Sequence, residues 1–251
     1  MIYLIALVGA FVAGVINTLA GNGSAITLTI LTELLGLPGN VANATNRVGI
    51  AMQSAAGTWG FYQKGRLDLR QSGPYILLTS IGALAGIYAA VHVSNEGFMA
   101  VFRVLLVLML FVILVKPKRW LRESSDVRSL PLWVSVPVFL ALGFYGGFIQ
   151  MGMGIFFLAA MVLVAHYNLT DSNAVKGVVV AVYTITAVVI FAWQGMIDWK
   201  IGLLMGVGQM AGGYLTARYA ATDPRANAWA YRLLVAVVIL AILRTFGWWG
   251  G

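Results

Sequence analysis

The chain has no cysteine, only two histidines and only eight carboxylates. Without thiols there is no disulfide framework, no thiolate metal site and no redox pair, and the redox character of the compartment stays open. His92 and His166 stand alone in sequence, too sparse for a recognisable metal site. Charged residues make up 10% of the chain, far below the roughly 25% of a soluble globular domain. That excludes the soluble class.

What is present is apolar: 61% of the residues are hydrophobic. Long apolar runs cover 2–37, 48–62, 74–93, 98–115, 132–165, 175–193, 201–220 and 229–249. Several reach the approximately 20 residues that cross a hydrocarbon core about 30 Å thick. They are continuous and lack the polar alternation of barrel strands, so the chain reads as all-α, polytopic and multi-pass. The first run has no small-residue cleavage site after a short apolar core and reads as mature protein rather than a signal peptide. The net charge of +8 sits in short connections between apolar runs, where the positive-inside rule places it, and does not point to nucleic acid.

The chain repeats itself. "FRVLLVLMLFVILVKP" from Phe102 lines up with "YRLLVAVVILAILRTF" from Tyr231, "GALAGIYAA" from Gly82 with "GQMAGGYLTA" from Gly208, and "GRLD" from Gly65 with "GMID" from Gly195. "LAGNGSAITLTIL" from Leu19 has a looser counterpart in "QMGMGIFFLAAMV" from Gln150. The order is the same in both halves, which predicts a repeat over 1–115, a basic cytoplasmic linker over 116–131 and a second repeat over 132–251. Counting from the linker, the basic 63–73 connection (Lys64, Arg66, Arg70) lies on the cytoplasmic face and the 94–97 turn, with Glu96 and no base, lies outside. In the second half the sides swap: the 194–200 turn lies outside, and the connection with Arg218 and Arg225 lies inside. This distribution favours two inverted repeats. Inversion needs an odd number of crossings per half. Residues 24–36, at roughly 20 Å for about 13 residues, fall short of the core. The simplest odd count makes each half a broken or re-entrant helical hairpin followed by three transmembrane helices, with both termini outside; ten marginal crossings would also satisfy inversion.

The stretch "NTLAGNGSAIT" (Asn17–Thr27) interrupts the first run with glycines, amides and hydroxyls. Gly21 and Gly23 supply permissive backbone, and Ser24 is placed to cap a helix restarting at Ala25. A restarted helix aims free N–H groups into the membrane interior, which is tolerated only inside protein or beside a wet cavity. Such a terminus suits an anion. The competing reading is a close-packing surface between helices; the matching Gly152-x-Gly154 in the second half favours the functional one. "ANATNR" from Ala42 and "NAVKG" from Asn173 follow the two breaks and set Asn46 opposite Lys176, with Arg47 one residue along. A cation in the first turn of a helix opposes its dipole, so Arg47 and Lys176 are candidates to meet an anionic ligand; the alternative is interfacial snorkelling. Gln53 and Tyr183 lie two turns further along the same faces.

These features resemble the TauE/SafE sulfite exporter family of membrane permeases: a glycine-interrupted first helix, Ala-x-x-Thr-Asn opening the next span, a Gly-x-x-Asp turn, and the whole pattern repeated. The resemblance implies transport of small sulfur-containing anions, such as sulfite or sulfonates, across the bacterial inner membrane. It departs at Asn22 and Met153, where glycines are typical, and both alter pocket size and polarity. The substrate-binding candidates are Asn22, Gly23, Ser24, Thr45, Asn46, Arg47, Gln53, Gln150, Gly152, Gly154, Lys176 and Tyr183. Of these Asn22, Ser24, Asn46, Gln53, Gln150 and Lys176 are expected to line one polar cavity. No catalytic residue, metal or cofactor is expected; the partners are a small anion, the lipid bilayer and a coupling proton or sodium, for which Glu33 is the intramembrane candidate.

Four further readings are weighed. Asp68 and Asp198 are expected to be N-caps, and Arg103 and Arg232 interfacial anchors. Ser24 with His92 or His166 would make an intramembrane hydrolase, but "GNGSA" lacks the glycine after serine of the rhomboid type. An anion channel, or a scaffold without turnover, is the remaining alternative.

Overall fold

In the computed structural model the described residues are 1–65, 67, 69–114, 131–161, 165, 167 and 169–220, with Arg232, Ile239, Ile242 and Leu243 beyond them. The basic linker, Arg66, Asp68, His166, Arg225 and most of the 229–249 run lie outside the described residues. The described part is helical with no strand. Its elements are α1 (Ile2–Ala20), α2 (Gly23–Thr29), α3 (Gly39–Gln63), α4 (Leu69–His92), α5 (Asn95–Leu114), α6 (Leu132–Phe148), α7 (Met153–Ala159), α8 (Leu169–Trp193) and α9 (Trp199–Leu215). A π-helical turn extends α2 over Ile30–Leu34 and another extends α9 over Thr216–Ala220.

Three stretches are long and apolar enough to cross a bilayer by length and composition: Ile2–Leu19, Ser72–His92 and Asp171–Trp193. Their outer faces need an apolar solvent. On α4, Leu77, Ile81, Leu84 and Tyr88 form an exposed stripe at helical spacing. Deprived of lipid, such a stripe would be an aggregation surface.

The first run folds as an antiparallel helical hairpin. Gly21 ends α1 in the left-handed conformation, φ 75°, with its N–H on Asn17 O, a terminus glycine permits without a Cβ penalty. The chain then doubles back. A Cβ on Gly23 would strike Ala13 O and Asn17, and one on Gly9 would strike Ile30. The return leg therefore runs alongside α1 toward the end where α1 began. The hydroxyls of this segment serve its own backbone: Thr18 donates to Gly14 O (2.9 Å), Thr27 to Ser24 O (3.2 Å) and Thr29 to Ala25 O (2.8 Å). Ser24 is not the cap. The restarted helix begins at Gly23, and Asn22 at its N-cap makes no side-chain capping bond. The second hairpin matches the first in outline: Tyr145 on α6 donates to Met151 O and packs edge-on against Phe156 on α7, ring centroids 5.7 Å apart.

Helices from before and after the linker pack against one another. Their α4–α6 and α1–α9 pairs are glycine-lined parallel contacts. Side chains on Gly82 or Gly143 would overlap the backbone at Leu140 or Thr79; on Gly212 or Gly14 they would overlap the backbone at Phe11 or Gln209. Such small-residue faces allow backbones to approach where no hydrophobic force joins helices in lipid. Between these pairs α3 packs against α8 in antiparallel fashion, with Thr45 near Asp198 at one end and Thr58 against Gly177 nearer the other. Helix α3 begins at Gly39, nine residues before the apolar run that announces it in sequence. Its early polar residues, Asn43, Thr45, Asn46 and Arg47, are all buried in the bundle.

Candidate functional site

The polar centre is built where the two breaks meet. Gly21 and Gly154 touch backbone to backbone, and a Cβ on either would overlap the other chain segment. The glycines are thus a close-packing surface and also a boundary of the polar cleft. This cleft opens to its surroundings and has a cavity volume of about 30 Å³. Its walls come from the end of α1, the second half of α3, the start of α7 and the first half of α8. It therefore lies in the half of the bundle that carries Lys64, at the end of α3.

On one wall Asn17 Nδ2 donates to Gln53 Oε1 (3.1 Å) and Gln53 Nε2 donates to Thr18 Oγ1 (3.2 Å). On the other, Lys176 Nζ donates to Asn17 O (3.0 Å), Thr18 O (3.2 Å) and Asn173 Oδ1 (2.6 Å). The two carbonyls belong to the last turn of α1, where the helix concentrates partial negative charge, and Asn17 O also accepts from Gly21 N. The Tyr183 and Thr58 hydroxyls line the cleft, and each oxygen is buried without a hydrogen-bond partner. Buried polar groups are normally paired.

Gln150 forms the cleft wall that faces Arg47. Its backbone is left-handed at φ 62°, the one non-glycine residue so placed among those described, a conformation that costs free energy for a residue with a Cβ. Its side-chain oxygen accepts from Arg47 Nη1 and from Thr184 Oγ1 (3.4 Å). Arg47 also donates to Gly146 O and Gly147 O, both at 2.8 Å, and lies 6.0 Å from the Phe191 ring centre. Arg47 is fully buried and Lys176 is 6% exposed. Among the described residues neither cation pairs with a carboxylate; every partner is a carbonyl or amide oxygen. Neither snorkels. Nor does either sit in a first helical turn, since α3 starts at Gly39 and α8 at Leu169. The helices begin well before their apolar runs because the intervening polar residues face the protein interior.

Of the candidate residues, Gln53, Gln150, Gly154, Lys176 and Tyr183 line the cleft. Asn22, Ser24 and Asn46 do not, so the expected single cavity holds only Gln53, Gln150 and Lys176 of its six. Asn46 Oδ1 instead accepts from Gln209 Nε2 (3.4 Å), joining α3 to α9. Thr45 Oγ1 accepts from Asp198 N (3.0 Å), and Asp198 caps α9 through Ile201 N (3.0 Å). Gly23 packs on α1, and Gly152, at φ 75°, precedes α7. Asn22 is buried with both amide atoms unpartnered. His92 is exposed, its Nδ1 on Tyr88 O (2.8 Å) one turn back, and does not address Ser24. Sequence reasoning missed Asn17, Thr18, Thr58 and Gln209. The first two stood within or beside the flagged stretch, one helical turn before Gly21.

The sulfite exporter TauE/SafE family matches residues 6–245 of the chain. The chain belongs to that family. It is 28% identical over 213 residues to the probable membrane transporter protein ORF9 of Sinorhizobium sp, covering 85% of this chain and 81% of that protein. It is 26% identical to the probable membrane transporter protein YfcA of Escherichia coli K12, over 83% of this chain and 77% of the relative, and 21% identical to YdhB of Bacillus subtilis, over 86% and 89%. No solved structure matches it. With its spanning helices and lipid-facing stripes, this TauE/SafE protein is a multi-pass membrane transporter of the bacterial cell membrane.

Proposed function

We propose that this TauE/SafE protein moves small sulfur-containing anions, such as sulfite or sulfonates, by alternating access between two inverted repeats, and that the Lys176 cleft is its binding site on the cytoplasmic side. The carrying observation is the buried Lys176 amine on the wall of an open polar cleft, with no carboxylate partner among the described residues. The C-terminal end of α1 offsets it by roughly half a charge, and the nearby start of the return helix cancels part of that. An anion supplies the remainder, and the orphan hydroxyls of Tyr183 and Thr58 give it hydrogen bonds. The Lys176 amine bears this reading; Asn22, Gly23 and Ser24 at the start of α2 do not line the cleft.

The exchanged pairs α4–α6 and α1–α9 and the antiparallel α3–α8 pair support inversion. With the basic ends inside, Lys64 faces the cytoplasm and Gln194 faces out. Single cysteines at Gln63 and Gln194 are then expected to label from opposite faces, and labelling from one face would defeat the arrangement. The function itself is tested by binding of sulfite, sulfonates, sulfate and carboxylates to purified protein, followed by counterflow in vesicles. Saturable exchange of one of the sulfur anions is expected. Preference for a cation or a neutral sugar would sink the anion site, and flux without exchange would make the protein a channel.

A further inference from the structure

The helix exchange assigns each cleft residue a counterpart in the other half. Gly14 on α1 meets Gln209 on α9 as Gly143 on α6 meets Thr79 on α4, which makes α1 and α6 counterparts, and the 25-residue helices α3 and α8, followed by Gly65 and Gly195 at φ 64° and 65°, are counterparts as well. On this correspondence Gln53 answers to Tyr183, Ser54 to Thr184, Gly57 to Ala187, Phe61 to Phe191, and Asn173 to Asn43. Thr184, Ala187 and Phe191 are fully buried, and Asn43 is 2% exposed. The counterpart of the open cleft is thus a closed region near the Trp193 end of α8.

A cation fills it. Lys176 bonds Asn17 O and Thr18 O near the end of α1; Arg47 bonds Gly146 O and Gly147 O, the corresponding carbonyls near the end of α6. The two cations stand one residue apart in register, Lys176 answering to Asn46, yet reach equivalent acceptors. What recurs is a positive charge at each broken-helix end, supplied from a different position. The closed region is also incompletely satisfied: Arg47 Nε, Asn43 Oδ1 and Tyr183 Oη are buried without partners.

We propose that Arg47, with Asn43 and Tyr183, is a second anion site, occupied when the molecule opens at the Trp193 end. The proposal rests on the reading of the Lys176 cleft as an anion site. Gln150 separates the two stations: it lines the open cleft and at the same time holds Arg47. Turning its amide aside frees an Arg47 N–H for an anion arriving from Lys176, and Tyr183 borders both stations.

The test uses sealed vesicles of the full chain, which has no native thiol, with one cysteine at Thr58 or Ala187, an impermeant maleimide on one face, and methanesulfonate as the anion. Thr58→Cys is expected to label from the Lys64 face. Ala187→Cys is expected to label only from the opposite face and more slowly. Methanesulfonate on that face should protect Ala187→Cys, with a half-protecting concentration about 10- to 150-fold higher in Arg47→Gln, as for one lost charged hydrogen bond, and unchanged in Lys176→Met. Labelling of Ala187→Cys from the Lys64 face, no labelling from either face in vesicles that exchange anion, or equal protection with and without Arg47 overturns the second site. If Arg47→Gln does not fold, the sidedness of Ala187→Cys with Arg47 intact still decides, and Arg47→Lys should retain protection. The inner site is judged separately, by binding to Lys176→Met.

Discussion

At the Lys64 end of the α3–α8 pair, Gln53, Thr58 and Lys176 surround open space; at the Trp193 end, Arg47 and Thr184 are buried and both bond the Gln150 side chain. Both ends hold a buried cation on the last carbonyls of a broken helix. The difference lies in reach and shape. The compact ammonium of Lys176 occupies one corner of its cleft, where three oxygens surround it. The planar guanidinium of Arg47 spans Gly146 O, Gly147 O and Gln150 at once and so bridges α3 to the second hairpin. One charge leaves a path open and the other seals it.

The comparison breaks most completely where the halves touch. Gly154→Val puts a branched side chain into the backbone of Gly21. A loss on the order of 3 kcal/mol is expected from overpacking with no flexible neighbour to yield, read as lost monodisperse protein or a lowered melting temperature in detergent. Gly57→Ala makes the contrast, since its Cβ meets only Gly213 O at 3.9 Å; it should fold normally.

The cations come next. Lys176→Met keeps the stem and removes the charge, and one lost charged hydrogen bond of about 1.5 to 3 kcal/mol weakens anion binding roughly 10- to 150-fold. Arg47→Met should act first on stability, because it strands two carbonyls and the Gln150 amide in the closed region. Thermal unfolding beside equilibrium binding separates the pair: equal effects of both variants on both measurements would erase the distinction between open and sealed ends.

Smaller effects sharpen the cleft wall. Gln53→Leu removes the bonds to Asn17 and Thr18, which within a membrane bundle amount to about 1 kcal/mol each, and the anion affinity should fall with them. Tyr183→Phe deletes a hydroxyl that has no protein partner. Its stability should be unchanged or slightly raised while binding weakens. A variant that melts early and binds normally would mean that the hydroxyl serves the fold.

The all-helical class and the hairpin break were legible because each is a local property: apolar length and glycine in a run. Lys176 and Gln53 were legible as polar residues where lipid allows few. The start of α3 was not, because helix onset was read from apolar periodicity, and the face carrying Asn43, Asn46 and Arg47 turns inward to polar neighbours that lie far away in sequence. Ser24 and Asn22 were assigned to the cavity from their nearness to the break. Both are buried outside the cleft, and it is Gly23 between them that packs on α1.

The sequence by itself determined that the chain crosses a membrane as helices and that matching strings recur along it, with glycines, amides and two cations near two breaks, since hydrocarbon admits few other patterns. Only the tertiary structure decided which cation faces open space. That choice depends on the exchange of helices between halves, which brings the end of α1 to Lys176 and the end of α6 to Arg47, and on the one-residue offset that lets a longer planar side chain close one end while a shorter one leaves the other open.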